Sequence, residues 1–509
     1  MSNRRVKVVG LNGQPHTANN LAYEASSTGR RLGGWNAPNL GPNDASTSEL
    51  LLLQRRSRAL TRNNPWLSRG LKAHVANEIG TGIVPRSASK NKKFRDDMRQ
   101  EWLDWLPFAD FNGILSAYAI QASSVRSRRE AGEIFIRIHR KPFGDKSLMP
   151  VQFQVLESDF CPVDMDRSVD NGNEIISGIE LNSDGHRVAY WMYPKHPGDR
   201  LTRPSMSTLV RIPADQILHH YIPMRPGALR GDPESVQAMV RTFMLDKYED
   251  AELARKQSRA HFTGVIQRPD YGKEDYKFDP ISGQPIEEDD EGVPMIDLEP
   301  GTFPNLLPGE EINLFNGDET GRAYADFMSS SLLATAAGQD IPYQLQTGDY
   351  SGINDRVWRA IMNQYHREIE QIQDLYTINQ LCRVMWEECV DAAVFAGLVN
   401  APRFEKNRRD FIRATHTPQA WKHIHPTQDV DAMVKLKDAG FDSRQGLVTA
   451  NRSADVETID NQRKEDMDRE KSLGLNQQVN EQPANEKKVK VNEKPVKNSD
   501  KAIKEKPKK

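Results

Sequence analysis

The chain has 509 residues, a formal net charge of −2, 37% hydrophobic residues and 28% charged residues. A chain of this length has room for several packed regions, but its apolar share is low for one compact globule. The balanced charge excludes a protein that grips nucleic acid through a large basic surface.

The sequence contains no motif of a familiar catalytic or membrane-spanning class. Phosphate-loop, HExxH, GxSxG and CxxC patterns are missing, so we expect no enzymatic activity, no cofactor and no metal site. No run of about 18 apolar residues occurs, so we expect no membrane partner. Cys161, Cys382 and Cys389 are too few for a disulfide framework and favour assembly in a reducing cytosol. The last two are predicted to be buried thiols on one helix face.

The first predicted helix follows a flexible arm, residues 1–45, that is rich in Asn, Gly, Arg and Ser. From Thr47 apolar residues recur at helical spacing, and Asn64-Pro65 is expected to break or kink the helix. Two interpretations stay open for the basic side of this helix, a solvated face or a contact with a neighbouring subunit or nucleic acid. Its members are Arg55, Arg56, Arg58, Arg62 and Arg69.

A section of mixed helix and strand is predicted to continue to residue 231. Trp102 and Trp105 are expected to be core residues rather than a stacking platform. Runs of alternating apolar and polar residues then indicate strands, with a hairpin turn at Asp184-Gly185.

Three sets of polar residues could supply metal ligands, but their spacing favours ordinary surface or strand positions. The turn at 164–174 lacks the spacing of an EF-hand. His219 and His220 are expected on opposite faces of one strand. No acid or cysteine stands at a telling interval from the last group, which is His416, His423 and His425.

Two helices are predicted to flank an acidic segment. The first begins at Asp232-Pro233-Glu234, a capping residue followed by Pro and an acid. Its second half is charged almost all round, which is typical of a solvent-bridging helix. Residues 265–318 are irregular and acidic, and a shorter helix is predicted from about Glu319 to Ala337. The first helix also carries an apolar stripe of Val236, Met239, Val240, Phe243 and Met244.

The longest helical pattern follows a Gly-, Gln- and Thr-rich loop and runs from 354 to about 396. Some forty residues make a helix of about 60 Å, which suggests a scaffold axis rather than a small-domain interior. A modest helical region precedes a lysine-rich tail, residues 471–509, that we expect to be disordered.

The order of these segments resembles the lambda-type family of tailed-bacteriophage portal proteins. The segments RRSRALTRNNPWLSRGLKAHVANEIGTGIVP, GIELNSDGHRVAYWMYPKHPGD and RIPADQILHHYIPMRPGALRGDP carry the resemblance first. LEPGTFPNLLPGEEINLFN, IPYQLQTGDYSGIN and WKHIHPTQDVDAMVKLKDAGFDSRQ continue it. It extends from about Tyr23 to Glu470.

The resemblance implies an α+β portal fold in a ring-shaped homo-oligomer, expected to be twelve-fold. Its parts would be a wing, a two-helix stem, a small clip, a tunnel loop and a long helix leading to a helical crown. The wing corresponds to 46–231, the stem to 232–263 and 319–338, the clip to 264–318, the tunnel loop to 339–353, the long helix to 354–398 and the C-terminal wing or crown region to 399–470.

The implied function is a channel through which double-stranded DNA is packaged into a capsid and later ejected. The implied protein partners are the terminase large subunit, the major capsid protein and scaffold, and a head-completion or tail-adaptor protein. The portal vertex of the virion is the expected location, after assembly in the cytoplasm of the host bacterium.

Polar loop residues and stem cations are the predicted DNA contacts. The loop set is Gln344, Gln346, Thr347, Tyr350 and Ser351, and the stem set is Arg255, Lys256 and Arg259. Pairing of the stem cations with Glu249, Asp250 and Glu252 is the alternative for that set. The main alternative for the whole chain is a DNA-binding or DNA-processing protein that uses the basic N-terminal helix and the lysine-rich tail. A second alternative is a hydrolase with an unrecognised site, for instance a fused protease.

Overall fold

A computed structural model describes residues 34–35, 37–144, 148–169, 172–199, 204–261, 264–267, 311–314, 321–421, 426–452 and 456–473. Outside these ranges lie His423, His425 and most of the predicted arm, clip and lysine-rich tail. The chain divides into one unit of Met1–Ala432 with Ala450–Ser453 and another of Met433–Thr449 with Ala454–Lys509. Helices and sheets are both present, which confirms the mixed α and β class.

The helices of the first unit are α1 Pro42–Asn63, α2 Pro65–Glu78, α3 Lys92–Trp105, α4 Ala117–Ala131, α5 Val236–His261, α6 Gly321–Ala337, α7 Tyr343–Thr347, α8 Asp355–Ile372, α9 Arg383–Phe395 and α10 Phe404–Phe411. A π-helical segment, Gln373–Cys382, joins α8 to α9. The chain continues with α11 Pro426–Asp438, α12 Arg444–Arg452 and α13 Val456–Ser472. None of the helices described is long and apolar enough to cross a membrane.

The ladders between the described strands are antiparallel, and an isolated bridge between Asp110 and Phe153 is parallel. The strands are β1 Val84–Ser87, β2 Glu133–His139, β3 Gln152–Leu156, β4 Arg167–Ser168, β5 Glu174–Ile176, β6 Ile179–Leu181, β7 Arg187–Met192, β8 Val210–Pro213, β9 Ile217–Tyr221, β10 Gly264–Gln267, β11 Glu311–Leu314 and β12 Ala414–Thr417. One sheet has the order β3-β2-β9 and another is a meander from β4 to β8, while β1 pairs with β12 and β10 with β11. The predicted hairpin is confirmed between β6 and β7, where Gly185 adopts a φ of 79°.

Asn64 ends α1 and begins α2, as predicted from Asn64-Pro65. Its side chain accepts a hydrogen bond from the Leu67 backbone N–H at 2.8 Å, and Pro65 takes the first helical position. Helix α1 begins at Pro42, so the predicted boundary of the flexible arm at 45 is too late. Proline fits there because its missing N–H has no partner in the first helical turn.

Tryptophans form the centre of the main core. The rings of Trp102 and Trp105 lie 5.3 Å apart, and that of Trp386 from α9 lies 5.6 Å from Trp102. The predicted core role of Trp102 and Trp105 is confirmed. The end of the long helix therefore packs in the same core as the N-terminal helices.

Gly132 lets the chain leave α4 and enter β2. Its φ is 90°, and a Cβ there would lie 2.2 Å from the carbonyl oxygen of Gly231. A side chain would be strained by the backbone angle and would push this neighbour away. This close approach brings the end of α4 beside the segment that leads into α5.

Two predictions for α5 need correction. The helix begins at Val236 rather than Asp232, because the Glu234 carboxylate pairs with Arg128 and Arg129 instead of serving the first turn. The predicted apolar stripe also divides. Met239 is buried, whereas the stripe residues that stay exposed are Val240, Phe243 and Met244.

The long helix is confirmed as one helical run from Asp355 to Phe395, although its middle is π-helical. Within that π-helical segment, the Thr377 hydroxyl contacts Glu78 of α2 and Arg128 of α4. Cys382 and Cys389 are buried, as predicted, and burial raises the pKa of both thiols.

Candidate functional site

The segment predicted to be a loop, 339–353, is held against the N-terminal helices at its start and contains the short helix α7. The Arg69 guanidinium of α2 donates to the carbonyl oxygen of Leu345 at 3.2 Å. Gly348 ends α7 with a φ of 74° beside the same guanidinium. Residues 349–352 follow as an exposed tip. The tip is itself a turn, in which the Ser351 backbone N–H donates to the Asp349 carboxylate at 2.9 Å and the Ile353 backbone N–H to the Tyr350 carbonyl at 3.4 Å.

The predicted DNA contacts of this segment differ in exposure. Tyr350 and Ser351 are exposed, and the Tyr350 ring packs edge-on against Trp358 at 5.3 Å. Gln344 and Thr347 are half-buried, and the Thr347 hydroxyl donates to the Tyr343 carbonyl at 2.8 Å. The polar surface available to a ligand is therefore concentrated at the tip.

Gln346 does not fit the predicted DNA contact, because its side chain has no exposed surface. The helical turn of α7 directs it inward, which the interpretation of this segment as an open loop missed. Neither atom of its amide has a hydrogen-bond partner among the described residues. A buried amide without partners costs free energy in the conformation seen here.

Gln346→Met is expected to raise the free energy of unfolding by about 1 kcal/mol, because it replaces an unpaired amide with an apolar side chain of similar length. Urea unfolding measures this. Gln344→Met, half-buried on the same helix, is the matched control and should stay within about 0.5 kcal/mol of the parent chain. A loss of stability in Gln346→Met would show that the amide is paired.

The predicted stem cations lie near the end of α5. Arg255 forms an ion pair with Glu252, and this hydrogen bond raises the pKa of the guanidinium. The Lys256 ammonium lies 5.1 Å from the ring centroid of Tyr324 on α6. Ion pairing with Glu252, the alternative for this set, is therefore present for Arg255. The side chain of Arg259 lies outside the described residues.

A buried charge cluster, called here the junction cluster, joins five elements near the start of the loop segment. It is built around Arg128, whose guanidinium has no exposed surface. Two of its nitrogens bind the Glu78 carboxylate at 2.8 and 3.0 Å, and its Nε binds Glu234 at 2.8 Å. The members are Glu78 and His74 of α2, Arg128 and Arg129 of α4, Glu234, Gln339 and, from the long helix, Tyr365, Gln373 and Thr377.

Arg129 links the junction cluster to the loop segment. It binds the Glu234 carboxylate at 2.6 Å and donates to the backbone carbonyl of Gln339 at 2.5 Å. Glu78 links the cluster to the π-helical segment, since Gln373 donates to its carbonyl at 2.6 Å and Thr377 donates to its carboxylate. The segment that leads into α5, the loop segment and the long helix are thus fixed to α2 and α4 through one set of buried polar and charged groups.

Sequence reasoning missed the junction cluster. Its charged members are separated by 50 residues or more between Glu78 and Arg128 and between Arg129 and Glu234. The only local signal is the pair Arg128 and Arg129, which lies within a helix whose other residues predict partial burial. Such a pair reads equally well as a solvated face.

A second buried ion pair lies within the strand-rich part. Arg230 binds Glu133 of β2 through two nitrogens, and His219 of β9 binds the same carboxylate at 3.0 Å. His220 points to the other side and bonds Ser124 at 2.8 Å. The expectation that these histidines face opposite ways is confirmed.

Glu157, Asp159 and His196 are the one group of potential metal ligands that comes together within the described residues, with ligand atoms within 4.8 Å of one another. The Arg58 guanidinium lies 2.5 Å from the Asp159 carboxylate and 3.6 Å from that of Glu157. Because the Arg58 guanidinium already pairs with the Asp159 carboxylate and approaches that of Glu157, we assign the group as an ion-pair cluster. Arg58, left open from the sequence, is thus engaged within its own chain.

Known proteins similar to this chain are phage portal proteins. It is 24% identical over 435 residues to a probable portal protein of Halomonas phage phiHAP-1, covering 83% of this chain and 81% of the relative. It is 21% identical to the portal protein of Escherichia phage N15, and the match covers 92% of this chain and 94% of that relative. It is 20% identical to portal protein B of Escherichia phage lambda, and the match covers 67% of this chain and 68% of that relative.

Among solved structures, this chain is similar to a chain in the neck of an empty GTA particle, with 14% identity and a TM-score of 0.45. The match covers 83% of this chain and 98% of the neck chain. These relatives are named as phage portal proteins, and their matches cover most of this chain. The model of the family described as "Phage portal protein, lambda family" matches residues 28–373. The chain belongs to this family.

Proposed function

We propose that this chain is the portal of a tailed-phage capsid: a ring-shaped homo-oligomer, twelve-membered in its expected form, that passes double-stranded DNA during packaging and ejection. The observation that carries the proposal is the family match over residues 28–373. The net charge of −2 supports it, because each phosphate gripped by a cation strengthens binding and slows transit.

The parts expected from the resemblance become proposals about named elements. Helices α5 and α6 are the stem, flanking the clip at 264–318, and the wing extends from 46 to 231. Packing of Leu245 against Met328 and Leu332 supports a two-helix stem. The long helix leads from the tunnel loop toward the crown region at 399–470, and the virion portal vertex is the site of action.

A separate motor supplies the energy of packaging, because this chain has no phosphate loop. We propose that the terminase large subunit docks on the clip and that a head-completion or tail-adaptor protein later uses the same place. The major capsid protein and scaffold are proposed to contact the outside of the ring. The ring is proposed to assemble in the host cytoplasm.

Electron microscopy of the purified full chain tests the ring. Class averages with a central hole are expected. A monomer that shifts linear DNA in a salt-sensitive manner would instead identify a DNA-binding protein that uses its basic helix and lysine-rich tail.

The DNA contact is proposed to lie at the exposed tip, with Tyr350 and Ser351 as its principal residues and the half-buried Gln344 and Thr347 beside them. A photoreactive amino acid at position 351, in capsids assembled with this chain, is expected to cross-link packaged DNA. The same group at Ser207, an exposed wing residue, is the control and should give several-fold less product. Equal yields at both positions would place the tip away from the DNA path.

A further inference from the structure

Helix α5 presents bulky apolar residues on the side that faces away from α6. Val240 is 74% exposed, Met244 60% and Phe243 49%. About 140° around the helix separates Val240 from Leu245, which is buried against α6. The Lys247 ammonium lies 4.6 Å from the Phe243 ring and continues this surface, called here the α5 stripe.

Helix α6 presents the opposite character on its own outer side. Ser329, Ser330 and Ala337 are small and exposed, and Leu333 between them is 58% exposed. About 140° separates Leu333 from Met328, which packs toward α5. Asp326 is also exposed and lies on this surface, called here the α6 face.

Helices α5 and α6 pack antiparallel, and the α5 stripe and the α6 face lie at the same level along their common axis. At one end, a Cβ on Gly338 would lie 3.1 Å from the backbone nitrogen of Ala238. Toward the other end, the ring of Tyr248 lies 4.6 Å from that of Phe327. Met244 is therefore level with the region of Ser330.

Lys247 precedes Tyr248 and Asp326 precedes Phe327, so in this antiparallel pair the two lie two residues, or about 3 Å, apart along the helix axis. The bulky stripe thus lies at the level of the small-residue face, and a cation lies within about one helical turn of the level of an anion.

We infer that the α5 stripe of one copy packs on the α6 face of the next copy, with Lys247 paired to Asp326. This inference rests on the ring proposed above and names the surfaces that close it. A second copy fits better than another partner, because bulky meets small without a shift of that copy along the helix pair, and the long Lys247 side chain spans the axial offset of about 3 Å to Asp326. A head-to-tail contact that repeats without such a shift closes into a ring instead of growing into a filament.

Paired cysteines test the contact directly. In the double variant Met244→Cys and Ser330→Cys, oxidation is expected to give a ladder of covalent multimers on a non-reducing gel. The two positions face opposite ways within one chain, so a bond between them joins copies. Each single variant is the control and should stay monomeric on the gel, since Cys161, Cys382 and Cys389 are buried.

Charge reversal supplies an independent measurement. Lys247→Glu alone and Asp326→Lys alone are each expected to reduce the ring fraction at least several-fold in sedimentation velocity, and the double variant should restore it. Rings in the parent chain without a cysteine ladder and without this rescue would overturn the interface and leave the portal proposal standing. Absence of rings in the parent chain would overturn the portal proposal itself.

Discussion

Replacing Arg128 by Met is expected to lower the free energy of unfolding by about 3–5 kcal/mol, because it leaves buried carboxylates without their countercharge. Glu78 has no exposed side-chain surface and Glu234 is 17% exposed. Burial alone would raise the pKa of Glu78, but Arg128 and the hydrogen bond from His74 outweigh it and hold that pKa well below its usual value. Without Arg128, the chain must either bury that charge or take up a proton.

Urea unfolding at one fixed protein concentration measures the effect, since association alters apparent stability. Arg383→Met is the matched control. That arginine pairs with Glu387 on the surface of α9 and is 49% exposed, so its loss should cost about 1 kcal/mol or less. An equal loss in both variants would show that the junction cluster is no more costly to break than a surface pair.

The double variant Glu78→Met with Arg128→Met separates the two explanations of a large loss. Removing both charges is expected to recover part of the stability lost with Arg128 alone, because no carboxylate of α2 then remains unpaired in the interior. A loss equal to the sum of the single variants would instead indicate that packing, not charge, holds this junction.

Local signals in the sequence predicted those elements that depend on neighbouring residues. Asn64-Pro65 marks a helix boundary because proline lacks an N–H and asparagine caps the next turn. Asp184-Gly185 marks a hairpin because glycine takes a positive φ at no steric cost. Trp102 was recognised as core from its size and spacing alone.

Other features depend on residues far apart in sequence, and the sequence did not reveal them. The pattern Asp232-Pro233-Glu234 predicts a helix-starting acid, but Arg128 and Arg129, more than 100 residues earlier, determine the position of Glu234. The Gly-, Gln- and Thr-rich pattern around Gln346 predicts a loop contact, but a short helical turn buries its side chain. The exposure of Val240 could not be predicted from the sequence for a related reason. An apolar stripe has the same sequence pattern whether it packs within its own chain or against another copy.

Acidification from neutral pH is expected to lower the free energy of unfolding steeply, because three buried histidines are neutral in the folded chain. Burial, reinforced by the charge of Arg129, lowers the pKa of His74 from 6.5 to about 4. Burial also lowers the pKa of His219 to about 4. For His220, burial and the charge of Arg128 lower the pKa to about 3.

The unfolded histidines take up protons near pH 6.5 while the folded ones do so only at the lower values, so protons favour the unfolded chain in this interval. Each histidine then contributes up to about 1.4 kcal/mol for every pH unit below 6.5, until its folded pKa is reached. Glu133 extends the loss to lower pH. Burial would raise its pKa, but Arg230 and His219 hold it at about 2, so the stability it provides disappears as pH falls from 4.5 toward 2.

Unfolding free energies measured between about pH 7 and about pH 4 give the slope, which counts the protons taken up on unfolding. His220→Gln keeps a polar side chain near Ser124 and removes one titrating group, so it should flatten the slope by up to one proton's worth below pH 6.5. A chain whose stability stays constant across this interval would show that these histidines are already protonated in the folded state. The junction cluster would then carry an additional positive charge at His74, and Glu78 would be neutralised from both of its neighbours rather than mainly by Arg128.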